Sequence, residues 1–177
     1  MKNYNSNTPV SEKDCAQTPP WFIASLEDLM AKEFDLDACA LPQTAKAEKF
    51  YSLENDQNGL ELPWAPLTWC NPPFSDIQPW LEKAWREAEY DGNTTCVIMP
   101  DNTETKYSRY AWEKADTIIR MPFRLQFLRP DGTRFLDKKG KPQSPQFPCQ
   151  VAIFTALGSY APTRQFYHDF RVGFYGN

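Results

Sequence analysis

Short apolar runs that end on proline limit the architectures open to this chain. Leu67-Thr68-Trp69-Cys70 stops at Asn71-Pro72-Pro73-Phe74, and Thr94-Thr95-Cys96-Val97-Ile98-Met99 stops at Pro100. Proline lacks the N–H that a central strand needs and fixes φ at about −65°, so each run reads as a strand that closes abruptly. Helical patterns follow both. Over residues 76–90, Ile77, Leu81, Ala84, Trp85 and Ala88 share one face; Ser75-Asp76-Ile77-Gln78 matches a capping box and Asp91-Gly92 supplies the stop. A second helix is predicted over 104–115.

Upstream, Thr18-Pro19-Pro20 opens a helix over 20–32, with Thr18 as N-cap and Phe22, Leu26, Leu29, Met30 and Glu33 on one face. Residues 34–39 alternate and read as a short strand ending near Asp37. Residues 40–66 are mostly loop, with a short helix around 43–49. Downstream, residues 117–121 form a strand. Residues 124–128 and 133–136 flank Arg129-Pro130-Asp131-Gly132, a hairpin turn. Residues 151–155 form the strand that closes the sheet; the aromatic tail beyond them shows no period. This alternation predicts an α/β domain with a mostly parallel sheet and an antiparallel edge. Ligands of such sheets sit at the carboxyl ends of the strands. Asp37, Asn71 to Phe74 and Pro100-Asp101-Asn102 then lie on one rim.

The 177 residues have room for one domain over 17–177, preceded by a polar arm over 1–16. The longest apolar run is about six residues, too short for a bilayer, and the N-terminus carries no signal peptide, so a cytoplasmic site is expected. Five cysteines at 15, 39, 70, 96 and 149 and the single His168 form no close pairs, which argues against a metal site. The net charge is −4, yet residues 120–141 hold seven basic side chains against Asp131 and Asp137. A basic segment on an acidic body fits a loop that meets a polyanion, and equally a solvated hairpin.

Asn71-Pro72-Pro73-Phe74 carries the most chemistry. The Asn71 amide oxygen and the Pro72 carbonyl are two acceptors on a stiff backbone, and an aromatic face follows. That set suits a planar exocyclic amine: the acceptors hold both N–H groups, the ring stacks on the heterocycle, and positioning frees a lone pair otherwise delocalised into the base. A rigid turn is the plainer reading of the same four residues.

The segment 68–74 resembles the catalytic motif of S-adenosylmethionine-dependent amino-methyltransferases. The ordered set Thr18-Pro19-Pro20-Trp21, residues 34–40, 69–74, 99–105, 123–127 and 147–154 is similar to the phage-type, Dam-like DNA N6-adenine methyltransferases. The resemblance covers residues 18–155. It implies a Rossmann-like methyltransferase domain that moves a methyl group from S-adenosylmethionine, leaving S-adenosylhomocysteine, to adenine N6 in DNA, as a stand-alone phage or prophage enzyme that evades restriction.

The same likeness assigns Thr18, Pro20, Trp21, Asp37, Ala38, Cys39 and Asn71 to the cofactor. Asp56 faces the cofactor in one reading and only shapes a turn in the other. Asn71, Pro72, Pro73 and Phe74 are the catalytic corner, and Phe147 is a second stacking or core ring. The basic stretch over 120–148 becomes the DNA-recognition element, with Arg124, Arg129, Arg134, Lys138, Lys139 and Lys141 as DNA contacts. No metal and no membrane are implied, and the chain is expected to be a monomer or weak dimer. One departure stands out: Ala38-Cys39-Ala40-Leu41-Pro42 lacks the G-x-G found after the first strand in many methyltransferases. N-P-P-aromatic also occurs in enzymes acting on RNA bases or glutamine amides, and an idle binding relative is a further alternative; the basic segment favours nucleic acid.

Overall fold

The structure is a computed structural model that describes residues 14–137, 139–143, 147–156 and 162–171. Among the described residues, helices α1 (Pro20–Met30), α2 (Gln78–Asp91) and α3 (Lys106–Lys114) accompany one six-stranded sheet. The strands are β1 (Leu36–Asp37), β2 (Leu67–Cys70), β3 (Thr94–Pro100), β4 (Thr117–Arg120), β5 (Cys149–Phe154) and β6 (Arg164–Tyr167). Their order across the sheet is β1-β2-β3-β5-β4-β6. β1, β2 and β3 are parallel neighbours, with Asp37 beside Trp69 and Trp69 beside Cys96. β4 and β6 are also parallel, and β5 is antiparallel to both β3 and β4.

Alternation along each strand splits the core in two. Val97 and Met99 of β3 face Leu81, Ala84 and Ala88 of α2. Cys96 and Ile98 face the other way, toward Phe22 and Leu26 of α1. With both faces covered, strand interiors read as continuous apolar runs.

The antiparallel strand is therefore not at the edge, where the sequence predicts it. All six residues of β5 are buried, so it belongs between two neighbours. The edge is β6, whose four residues are all exposed and which leaves no apolar alternation to find. Neither predicted cap forms. Pro19 is the N-cap of α1 and makes no side-chain bond, while Thr18 is buried just before it. Leu29 is exposed and Ile23 takes its place on the buried face. At α2 the N-cap is Ile77, because Ser75 Oγ donates instead to Asp14 Oδ2 (2.7 Å). The helix predicted around 43–49 shortens to one 3-10 turn, Pro42–Thr44. The Lys46 N–H donates to Asp37 Oδ2 (3.0 Å), which diverts the backbone from a helical partner.

Residues 128–137 and 139–143 make turns held by single bridges. Arg129 N–H donates to the Thr133 carbonyl (2.8 Å), with Leu128 paired to Arg134 and Leu136 to Pro142. Among the described residues no helix is long and apolar enough to cross a membrane, and no group of His, Cys, Asp and Glu is placed to hold a metal ion.

Buried Glu87 ties α2 to the starts of β2 and β3. Its carboxylate accepts from the Trp64 N–H (3.1 Å) and Asn93 Nδ2 (2.9 Å) and pairs with Lys83 Nζ (2.6 Å). Glu87→Ala leaves the Trp64 N–H without its acceptor and Lys83 without its counter-charge. The expected cost is about 2–4 kcal/mol, read as a melting temperature lower by roughly 5–15 °C.

Candidate active site

The carboxyl ends of β1 and β2 open onto a cavity of about 240 Å3. Thr18, Asp37, Ala38, Cys39, Asn71 and Pro73 all line it. The parallel pairing of β1 with β2 places Asp37 and the Asn71 corner on the same rim.

Asp37 is buried, and both its oxygens are engaged by backbone: Cys39 N–H at 3.3 Å and Lys46 N–H at 3.0 Å. Burial pushes its pKa up to about 6, and the two N–H groups and the Lys46 charge pull against that rise. Burial also pushes the Cys39 thiol up to about 12, so it stays neutral. Lys46 is held below the usual lysine range by burial, opposed by Asp37. Two residues that border the cavity each carry a buried polar atom with no partner among the described residues: Thr18 Oγ1 and Trp69 Nε1. Unpaired buried donors of this kind mark a place where a polar ligand fits.

The corner is held from outside. Asn71 Nδ2 donates to the Ala16 carbonyl (2.9 Å), which fixes the amide and leaves Oδ1 as an acceptor. Asp14 reinforces this by accepting from Ser75 Oγ. Among the described residues no hydrogen bond reaches the Pro72 carbonyl, while that of Pro73 accepts from the Asp76 N–H (3.1 Å). The Phe74 ring stands edge-on to Phe127 (centroids 5.6 Å, 88°) and tilted to Phe147 (6.0 Å). Corner and aromatic rings are therefore adjacent, with Phe147 half exposed at 41%.

Other predicted residues lie elsewhere. Pro20 begins α1 and borders a separate open groove rather than the cavity. Trp21 packs against Phe123 (6.0 Å), whose other neighbour is the Arg171 guanidinium (4.4 Å). Asp56 is exposed, in the left-handed region at φ 56°, while its neighbours Glu54 and Gln57 line the cavity. Asp35 accepts from Lys32 Nζ (2.6 Å) and the Leu67 N–H (2.9 Å), a structural tie at the start of β2. Arg124, Arg134, Lys139 and Lys141 are exposed. The Arg129 guanidinium lies over the Phe135 ring (5.6 Å). Lys138 lies outside the described residues.

The far wall comes from residues 44–59 and was not legible residue by residue. Its key member is Gly59. A Cβ there would stand 2.0 Å from the Ala38 carbonyl oxygen and 3.1 Å from the Trp80 ring. The missing side chain thus lets this loop pack directly on the backbone that follows β1. The lone Asn58-Gly59 opposite a glycine-free loop is the signal that points to it.

An acid at the end of β1 and an Asn-Pro-Pro-Phe corner at the end of β2, sharing one cavity, are features of the amino-methyltransferase class that the sequence resembles. The chain belongs to the DNA N-6-adenine-methyltransferase (Dam) family, whose model matches residues 5–159. It is similar to the DNA N-6-adenine-methyltransferase of Escherichia phage T1, with 34% identity over 116 residues, 64% of this chain and 47% of the relative. The chain spans about half the length of that relative.

Gly59→Ala forces the wall loop away from Ala38. The expected loss is about 1–3 kcal/mol, checked by the midpoint of urea unfolding. Gly92→Ala removes a left-handed cap in open space and serves as the comparison, with about 1 kcal/mol lost through backbone strain alone.

Proposed function

We propose that the chain methylates the N6 amine of adenine in DNA, with S-adenosylmethionine as donor. The observation that carries this reading is the Asn71 amide, turned by Ala16 so that Oδ1 and the Pro72 carbonyl remain as two acceptors beside Phe74. Residues 17–177 act in this reading as one Rossmann-like methyltransferase domain, with 120–148 as its DNA-recognition element. The protein serves a phage or prophage by marking DNA against restriction.

The residues present fit the cofactor. Asp37 offers a carboxylate to an ammonium group, and Thr18 Oγ1 is a buried hydroxyl of a cavity-lining residue with no partner among the described residues. Tyr51, Leu53 and Trp80 add an apolar wall for a heterocycle. The bound cofactor supplies a methyl group activated by its sulfonium.

Asn71 Oδ1 and the Pro72 carbonyl accept the two N–H groups of the target amine and draw them out of the base plane. The nitrogen gains tetrahedral character and its lone pair is released from the ring. Phe74 holds the base by stacking. Transfer would form the N–C bond as the donor's S–C bond breaks, leaving S-adenosylhomocysteine; the methylated nitrogen, cationic at that point, would lose one proton to solvent, so a strong base is unnecessary and placement supplies the acceleration. A duplex base reaches this corner only when flipped out, at a cost of about a few kcal/mol. Phosphate contacts from Arg124, Arg129, Arg134, Lys138, Lys139 and Lys141 offset that cost and make binding salt-sensitive.

Two measurements test the reading. Purified protein incubated with labelled S-adenosylmethionine and unmethylated plasmid should yield N6-methyladenine, located by modification-sensitive sequencing. Asn71→Ala should still bind S-adenosylhomocysteine and lose methyl transfer by about 100-fold or more; full activity in that variant overturns the mechanism. RNA or protein as the only acceptor overturns the substrate assignment.

The pH dependence follows from Asp37. Its pKa of about 6 means it is charged above that pH and protonated below it. S-adenosylhomocysteine affinity should be flat above about pH 7 and fall about tenfold per unit below pH 6. Asp37→Asn should bind weakly with no such slope, as calorimetry can show.

A further inference from the structure

Gln17 joins the cavity to the basic turn. Its backbone N–H and carbonyl pair with Leu128 at 2.9 and 3.0 Å. Its side-chain amide nitrogen donates to the carbonyls of Arg129 (2.8 Å) and Pro130 (3.2 Å). Its Oε1 accepts from Lys46 Nζ (2.7 Å). Lys46 in turn gives its backbone N–H to Asp37 Oδ2. Only one amide orientation satisfies this set: turned over, the NH2 would meet an ammonium and the oxygen would meet two carbonyls. Gln17 is buried, so an unmet partner there is costly.

We infer that Gln17 is a positioning residue that couples occupancy of the Asp37 end of the cavity to presentation of the Arg129–Gly132 turn through Lys46. A cation drawn to Asp37 shares that carboxylate with Lys46, and Lys46 is one of the two anchors of the Gln17 amide. The other anchor is the turn, which carries Arg129 and leads to the exposed Arg134. DNA that fixes the turn fixes Gln17, and with it Lys46 and the loop that Asp37 organises. Each ligand then meets a site already ordered by the other, and the coupling is reciprocal. This rests on the proposed function, which names the two ligands; neither the family match nor the corner chemistry requires it.

The experiment is titration calorimetry of the full chain with S-adenosylhomocysteine, with and without unmethylated duplex DNA. The wild-type protein should bind S-adenosylhomocysteine about fivefold or more tightly when DNA is present. Gln17→Met keeps the volume and the main-chain pairing with Leu128 but loses all three side-chain bonds. Its coupling should fall to within about twofold of none, while each ligand still binds alone. Lys46→Met, which leaves Gln17 on the turn, should lose the same coupling, and the double variant should lose no more. Gln17→Glu keeps a partner for Lys46 but has no donor for the two carbonyls, so it too should be uncoupled. Coupling retained in Gln17→Met, or losses that multiply in the double variant, overturns the inference. A wild-type protein that binds both ligands without coupling overturns it and leaves the proposed function standing. A folded wild-type protein that binds no S-adenosylhomocysteine overturns both.

Discussion

Burial of one carboxylate at the end of the first strand organises the site. β1 is two residues long. The chain after it folds back around Asp37, which receives the N–H groups of Cys39 and Lys46. Ionised at neutral pH, this buried acid costs of order 3 kcal/mol relative to an ordinary aspartate, because its pKa is raised from 3.8 to about 6. The sign follows from the raised value: the unliganded protein loses that stability as pH climbs from about 4 to 6 and does not regain it above. A single fully buried side chain such as Ile98 or Trp69 offsets a comparable amount, at about 2–3 kcal/mol each. The sheet thus carries a charge that folding alone would reject.

The corner at the end of β2 works by the opposite means. Nothing there needs an unusual pKa. Two prolines stiffen the backbone, the Ala16 carbonyl orients the Asn71 amide, and Phe74 leans on Phe127 and Phe147. In the proposed reaction these rigid acceptors and the adjacent ring provide a fixed frame for a weak nucleophile. Asp14 and Ala16, which hold this frame from the segment before α1, also border the cavity.

The parts legible in the sequence were those dictated by local chemistry. Leu67–Cys70 and its proline stop, the helix ending at Gly92 and the alternation near Asp37 follow from backbone geometry and period. What escaped depended on partners far away in the chain. Ser75 had the residues of a cap but met Asp14, 61 positions earlier. β5 looked like a closing strand, yet it entered between β3 and β4 because both its faces are buried. β6 has no buried face, so no alternation marked it. Gly59 looked like an ordinary turn glycine until the opposite backbone came within reach. Gln17, one residue before the Thr-Pro segment, had no local signal, since every bond of its side chain is to a residue at least 29 positions away.

The thiol of Cys39 has a consequence of its own. In the proposed reaction the cavity receives an activated methyl group, and sulfur is a better nucleophile than the amine of a base, so a thiolate there would itself be alkylated. With its pKa pushed up to about 12, only about one Cys39 in a hundred thousand carries the negative charge at pH 7. On that proposal, burial keeps the sulfur two positions from Asp37 chemically quiet and spares the cavity self-inactivation.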